Sequence, residues 1–203
     1  AEEKWKVELD SGETEAFDYL FIANGHHSVP RHPKLPGEFT GEYLHSHNYK
    51  TNKPFADKRV LIIGSGNSGC DCAVEISRVA DFVAISMRRP HYIIPKFFLG
   101  KPTDTFNKAL QWLPKFLAEA ARKITLRIQV GRYKDYGLEE PDYNLTRSHP
   151  TLNSELLYKI RHGKVHPRKG IQAVEGQTVT FKDGQQEKFD TLLAATGYKI
   201  ALP

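Results

Sequence analysis

Of 203 residues only two are cysteine and one is methionine, and no apolar run approaches the ~18 residues of a bilayer span. Cys70 and Cys72 stand too close for a disulfide framework and lack the two-residue gap of a redox-active C-x-x-C. Reduced thiols and a cytoplasmic setting are therefore expected. The chain opens without a basic n-region and apolar h-region, so a soluble protein is expected, with no membrane partner. Charge of one sign is also in short supply: 29 Lys and Arg face 24 Asp and Glu, leaving a dispersed +5. Without a basic stripe and a recognised binding motif, nucleic acid is excluded as a partner, although an anionic cofactor would use some of that charge. His26-His27 and His45-x-His47 have no Cys or carboxylate at ligand spacing, so no metal site is expected.

What is present begins with an ungapped internal repeat. Residues 7–25 (VELDSGETEAFDYLFIANG) match residues 179–197 (VTFKDGQQEKFDTLLAATG) at a constant offset (179 − 7 = 172). Each copy predicts an alternating strand, a turn at Gly12 or Gly184, a second short strand, and an apolar strand ending in Gly. Runs such as Leu20 to Ala23 suit a strand covered on both faces, as in a parallel sheet. The second copy has a βαβ unit upstream and the first has none. Residues 1–25 are accordingly expected to be the tail of a first nucleotide-binding domain whose glycine-rich turn precedes Ala1.

That βαβ unit occupies residues 60–86. Val60 to Ile63 predicts a buried strand, and Gly64, Ser65, Gly66, Asn67, Ser68 and Gly69 complete G-x-G-x-x-G ahead of an apolar helical stretch. Gly64 permits the tight turn, Gly66 admits a pyrophosphate to the backbone, and Gly69 lets helix and strand pack closely. The diphosphate then meets free N–H groups and the positive end of the helix dipole. After the second strand, Phe82 to Ile85, the carboxylate that would hold an NAD ribose is missing. Ser86-Met87-Arg88-Arg89 stands there instead, and paired guanidinium bonds suit a 2′-phosphate. NADP(H) is expected over NAD(H).

Elsewhere, Arg31 to Gly37 is a proline-rich link. Phe106, Leu110, Leu113, Leu117, Ala120, Ile124 and Ile128 recur at helical spacing, interrupted by Pro114, and predict a stripe packed on the core. Residues 131–152 predict loop. A short helix over 153–162 follows, with Asn153 or Ser154 as N-cap and Gly163 as terminator.

A further motif precedes the turn: Phe39, Gly41, His45 and Tyr49 spell F-x-G-x-x-x-H-x-x-x-Y. With the turn, the Ser86-x-Arg88 strand end and the segment Asp190 to Tyr198, the chain resembles the flavin-containing monooxygenases over nearly its whole length. The resemblance implies an α/β, Rossmann-like domain within a flavoprotein fold of two dinucleotide-binding domains. Residues 1–37 would be the C-terminal part of a truncated FAD-binding domain with its linker, 38–190 the NADPH-binding domain, and 191–203 a return strand towards the FAD domain. It further implies NADPH and FAD as cofactors, with O2 and a small N- or S-nucleophile as substrates, since Tyr49 stands where Baeyer–Villiger relatives have Trp. Asn24, Gly25, Thr196 and Gly197 would lie near the flavin, although Asn24 replaces the family's Thr. No residue is assigned a catalytic role: side chains orient nicotinamide against flavin and exclude water. Two alternatives stay open, a flavin-dependent NADPH oxidoreductase without oxygen insertion and a non-enzymatic NADP-binding module.

Overall fold

The computed structural model describes residues 4–200 apart from His26, Leu99, Asp104, Phe106, Asn107, Ala109, Gln111 and residues 144–149. The expectations placed on His26 and Phe106 therefore lie outside the described residues. The strands in chain order are β1 (Trp5–Glu8), β2 (Thr14–Phe17), β3 (Val29–Pro30), β4 (Gly37–Phe39), β5 (Glu42–His45), β6 (Arg59–Ile63) and β7 (Phe82–Ser86). Then come β8 (Ile93–Ile94), β9 (Phe97–Phe98), β10 (Lys101–Pro102), β11 (Thr151–Leu152), β12 (His166–Arg168), β13 (Ile171–Gly176), β14 (Thr178–Phe181), β15 (Gln186–Lys188), β16 (Thr191–Ala194) and β17 (Tyr198–Lys199). Three described α-helices are α1 (Asn67–Ile76), α2 (Lys115–Val130) and α3 (Leu156–Arg161).

Five strands make an all-parallel sheet in the order β12-β7-β6-β16-β5. The order reverses direction at β6, which leaves a crevice at the carboxyl edge between β6 and β16. Side chains alternate along each strand and split the interior into two cores. Val60 and Ile62 of β6, with Val83 and Ile85 of β7, pack on Ala73 and Ile76 of α1 and Leu156 and Ile160 of α3. Leu61, Ala84 and Leu192 face Val174, Val179 and Phe181. Those three belong to a second sheet, β15-β14-β13-β4. The layering is helix, parallel sheet, smaller sheet.

Two compact units divide the chain: His32–Gly197, and a smaller unit comprising the chain up to Arg31 and from Tyr198 onward. These edges differ from the expected boundaries at 37/38 and 190/191 for reasons of main-chain pairing. Gly37 already pairs with Val174, and Thr191–Ala194 lies in the middle of the parallel sheet. The small unit holds the antiparallel β1–β2 hairpin, turned at Gly12 (φ 83), and the antiparallel β3–β17 pair.

Two expectations are corrected. Leu20 to Ala23 forms no strand, and its surroundings are open: Tyr19 is 82% and Phe21 89% exposed. The part of the core-assigned stripe that falls on α2 also faces outward. Helix α2 starts directly after Pro114, which sits at its N-cap. Its packed side is Ala118, Leu126 and Val130. Leu117, Ala120 and Ile124 are exposed, as are Phe116 (72%) and Ile128 (79%). The 3.6-residue spacing specifies a helix but not which side packs, and here Leu126 and Val130 join Tyr133 and Tyr136 in the core.

Candidate dinucleotide-binding site

Strand β6 delivers the chain to the crevice, and the glycines turn it into α1. Gly64 adopts φ 104, and a Cβ there would lie 2.6 Å from the carbonyl oxygen of Ala195. At Gly69 a Cβ would stand 2.1 Å from the Gly64 carbonyl oxygen, so no larger residue allows α1 to approach β6 this closely. Gly66 is different: a Cβ there meets nothing within 4 Å. Its bare backbone borders open space, as a diphosphate cradle requires. The first helical bond runs from Cys70 N–H to the Gly66 carbonyl at 3.0 Å. The N–H groups of Asn67, Ser68 and Gly69 thus have no acceptor within the helix and stand at its positive end. Ser68 is exposed beside them.

Ser65 plays another part. Its side chain is buried, and its carbonyl is turned inward onto three donors from separate segments: His91 Nε2 at 2.7 Å, Thr151 Oγ1 at 3.1 Å and Cys70 Sγ at 3.3 Å. Asn67 Oδ1 accepts the Leu152 N–H at 2.9 Å. Asn153 donates to Asp71 of α1 at 2.8 Å, and its Oδ1 accepts from Glu155 and Leu156 N–H at 2.9 and 2.6 Å, although α3 begins later than expected and its N-cap is Glu155, not Asn153 or Ser154. The phosphate turn is therefore braced from behind by residues 151–153 and His91. Sequence reading missed these braces, because they sit in a loop-like stretch far along the chain. The polar cluster Thr151 and Asn153 immediately before a helix was the available signal. Cys70 and Cys72 are free and buried, and burial pushes both thiols up to about 12, which leaves them unreactive as thiolates.

Beyond β7 the chain runs into a cleft of about 370 Å³ whose lining includes Arg88, Arg89 and His91. Both arginines are exposed, and among the described residues their guanidinium groups hold no ion pair or hydrogen bond. Because His91 both lines this cleft and bonds Ser65, the cleft adjoins the glycine turn. No described carboxylate ends β7 in the ribose-binding place.

The family model for flavin-binding monooxygenase-like proteins matches residues 3–203. The chain belongs to that family. Among its relatives, the indole-3-pyruvate monooxygenase YUCCA1 of Oryza sativa subsp. japonica is 32% identical across 98% of this chain and 51% of its own length. Flavin-containing monooxygenase 5 of Rattus norvegicus is 34% identical across 98% of this chain and 40% of its own. The chain thus spans about half, or less, of the curated relatives it matches. Cyclohexanone monooxygenase from Rhodococcus sp. Phi1, solved bound to NADP+, superimposes with a TM-score of 0.68 at 19% identity, covering 96% of this chain and 49% of that one. The shared fold is the α/β, Rossmann-like architecture of flavoproteins with two dinucleotide-binding domains.

The family's signature residues are distributed over the sheet's far edge. Phe39 packs in the second core, and a Cβ on Gly41 would lie 2.6 Å from the Asp190 carbonyl oxygen, so that glycine lets β5 enter the sheet. Tyr49 stacks near Phe55, ring centroids 5.7 Å apart, and burial beside Glu75 raises its phenol. His45 ends β5 opposite Ala194, where it is buried. Its Nδ1 accepts the His47 N–H at 3.1 Å, and the Gly197 backbone lies near its ring. Burial, with His32 nearby, holds its pKa below the usual imidazole value. Thr196 and Gly197 (φ 80) extend from β16 beside it, whereas Asn24 and Gly25 belong to the small unit. None of these groups lines the Arg88 cleft.

Proposed function

We propose that this chain is the NADPH-binding domain, with adjoining FAD-domain segments, of a flavin-dependent monooxygenase that oxygenates a soft nitrogen or sulfur atom. The observation that carries the reading is the glycine turn beside a cleft holding two unengaged guanidinium groups where an NAD site has a carboxylate. The open backbone at Gly66 and the α1 N-terminus would hold the diphosphate, and Arg88 with Arg89 the 2′-phosphate. Bound NADPH supplies hydride, and FAD supplies oxygen activation. The chain has no second glycine-rich turn, so no step is routed through flavin here. Asn24, Gly25, Thr196 and Gly197 are proposed only to border it. His45 is proposed to position the Thr196–Gly197 segment from its buried place opposite Ala194 at the end of β5. The exposed run from Tyr19 to Ile22 supports a role for residues 4–31 inside a larger domain and counts against a self-contained binding module.

Titration of the chain with NADP+ and NAD+ tests the cofactor assignment. Arg88→Ala is expected to weaken NADP+ by about 1–3 kcal/mol while sparing NAD+. Equal losses for both would reject the 2′-phosphate role. For the reaction, a protein carrying this chain together with FAD is expected to convert a thioether to its sulfoxide as NADPH is consumed under oxygen. Consumption that yields only hydrogen peroxide would favour an oxidoreductase without insertion.

A further inference from the structure

We infer that Lys182 is a third ligand of the 2′-phosphate, beside Arg88 and Arg89, so that the cleft beyond β7 grips this group from two walls. The inference rests on the NADP(H) reading above and adds a residue from a different part of the chain. Lys182 follows β14 and occupies the β14–β15 hairpin, with its N–H bonded to the Gly170 carbonyl at 2.9 Å. Its stem lies along Gly170: a Cβ built on that glycine would be 3.6 Å from both Cδ and Cε of Lys182, and 3.9 Å from the Arg88 Cα. The lysine stem and the Arg88 backbone therefore flank the same point, from the hairpin and from the strand end respectively. A Cβ at 170 would make only ordinary contact there, whereas a longer side chain would occupy the point itself.

The charges in the cleft sort into two groups. Lys169 is ion-paired with Glu139, and Arg168 meets Glu187 through two bonds of 2.6 and 3.2 Å. The Asp183 carboxylate accepts the Gln185 N–H within its own turn. Arg88, Arg89 and Lys182 hold no ion pair or side-chain hydrogen bond among the described residues, and all three are exposed into one cleft. Against them the lining leaves only the Asp183 carboxylate, so the cleft keeps a net positive charge. Three cations facing one carboxylate leave an excess of positive charge that a compact dianion relieves. A phosphate monoester meets that requirement, and the glycine turn next to the cleft specifies where the rest of its nucleotide lies. Arg88 and Arg89 offer planar forks, and Lys182 a mobile point charge from the opposite side.

The test is calorimetric titration of the 203-residue chain with NADP+, NAD+, adenosine 2′,5′-bisphosphate and inorganic phosphate, using wild type, Lys182→Met, Lys182→Arg, Gly170→Leu and Arg88→Ala. Lys182→Met is expected to weaken NADP+ and the bisphosphate ~10-fold, as for loss of a charged hydrogen bond, and to leave NAD+ unchanged. Lys182→Arg retains most of the affinity, and Gly170→Leu, by wedging the walls apart, weakens the same two ligands. Circular dichroism confirms folding of each variant, and Lys182 is exposed. If Lys182→Met matches wild type while Arg88→Ala loses NADP+ selectively, the grip is one-sided and the inference falls with the NADP(H) reading intact. Equal loss of NADP+ and NAD+ in Lys182→Met would also overturn it. Inorganic phosphate binding as tightly as the bisphosphate would reassign the cleft to free phosphate. Wild-type protein that binds neither dinucleotide, or both equally, would remove the underlying reading instead.

Discussion

Residues 7–25 and 179–197 share a strand, a glycine turn, a second strand and an apolar run, yet they end in opposite environments. In the later copy Leu192 and Leu193 are wholly buried, with β16 paired to β6 on one side and β5 on the other. In the earlier copy the hairpin forms, but Leu20 to Ile22 are exposed and outside any ladder. Both hairpins are local, so the turn and alternation suffice to make them. A parallel strand is not local. Its backbone groups and both its faces must be satisfied by distant elements. The difference teaches that the apolar run encodes a demand for neighbours, and only one copy has them here.

Four experiments would break or sharpen this contrast. The two severest crowd or hollow the packing around the later copy. Gly69→Ala would force a Cβ to 2.1 Å from the Gly64 carbonyl oxygen and 3.3 Å from the Ala195 Cβ. A loss of about 3 kcal/mol in urea unfolding is expected, and a variant as stable as wild type would contradict the close packing. Next, Leu193→Ala is expected to cost about 2–5 kcal/mol. Its counterpart at the exposed position, Leu20→Ala, should stay within about 0.5 kcal/mol. Similar losses at both sites would abolish the distinction between the copies. Thr151→Val removes one of three donors to Ser65 and should cost about 1 kcal/mol in stability, with weaker NADP+ binding as the turn loosens.

The smallest effect concerns pH. The folded-state pKa of His45 lies below 6.5, so the unfolded chain takes up a proton that the folded chain resists. Its contribution is fully present above about 6.5 and is lost as pH falls below that value. His166 is shifted the same way by burial and Arg168. Urea midpoints are thus expected to fall on acidification from neutrality, and to fall less in His45→Gln. An unchanged slope in that variant would show that His45 is not titrating differently on unfolding.

The parallel sheet and the turn were legible because their signals are local and chemically restrictive. A strand of Val, Leu and Ile running into G-x-G-x-x-G admits few geometries, and Gly64 and Gly69 occupy positions where a Cβ collides with backbone. Arg88 was singled out by the missing carboxylate, and it is exposed in the cleft beside the turn. The braces His91 and Thr151 were not, since nothing in their immediate neighbours announces a contact with Ser65, 26 and 86 residues away. The approach of the Lys182 stem to Gly170 was hidden for the same reason, as a hairpin lysine reads as a solvated charge. The outward face of α2 was misread because helical periodicity constrains spacing and leaves rotation about the axis to tertiary contacts.

The inward-turned Ser65 carbonyl has one more consequence. Two of its three donors bracket the long excursion that leaves after β8 and returns at Thr151, so that excursion is laced at its neck to the nucleotide loop. The excursion is anchored further in as well, by the Tyr133 hydroxyl on both backbone groups of Ile93 and by Leu126, Val130 and Tyr136 in the core, so a length change is expected to be tolerated only outside those contacts. Exchange of that cassette between relatives should succeed when the graft keeps His91, Thr151 and Asn153, and should slacken the loop when the suture points are cut away.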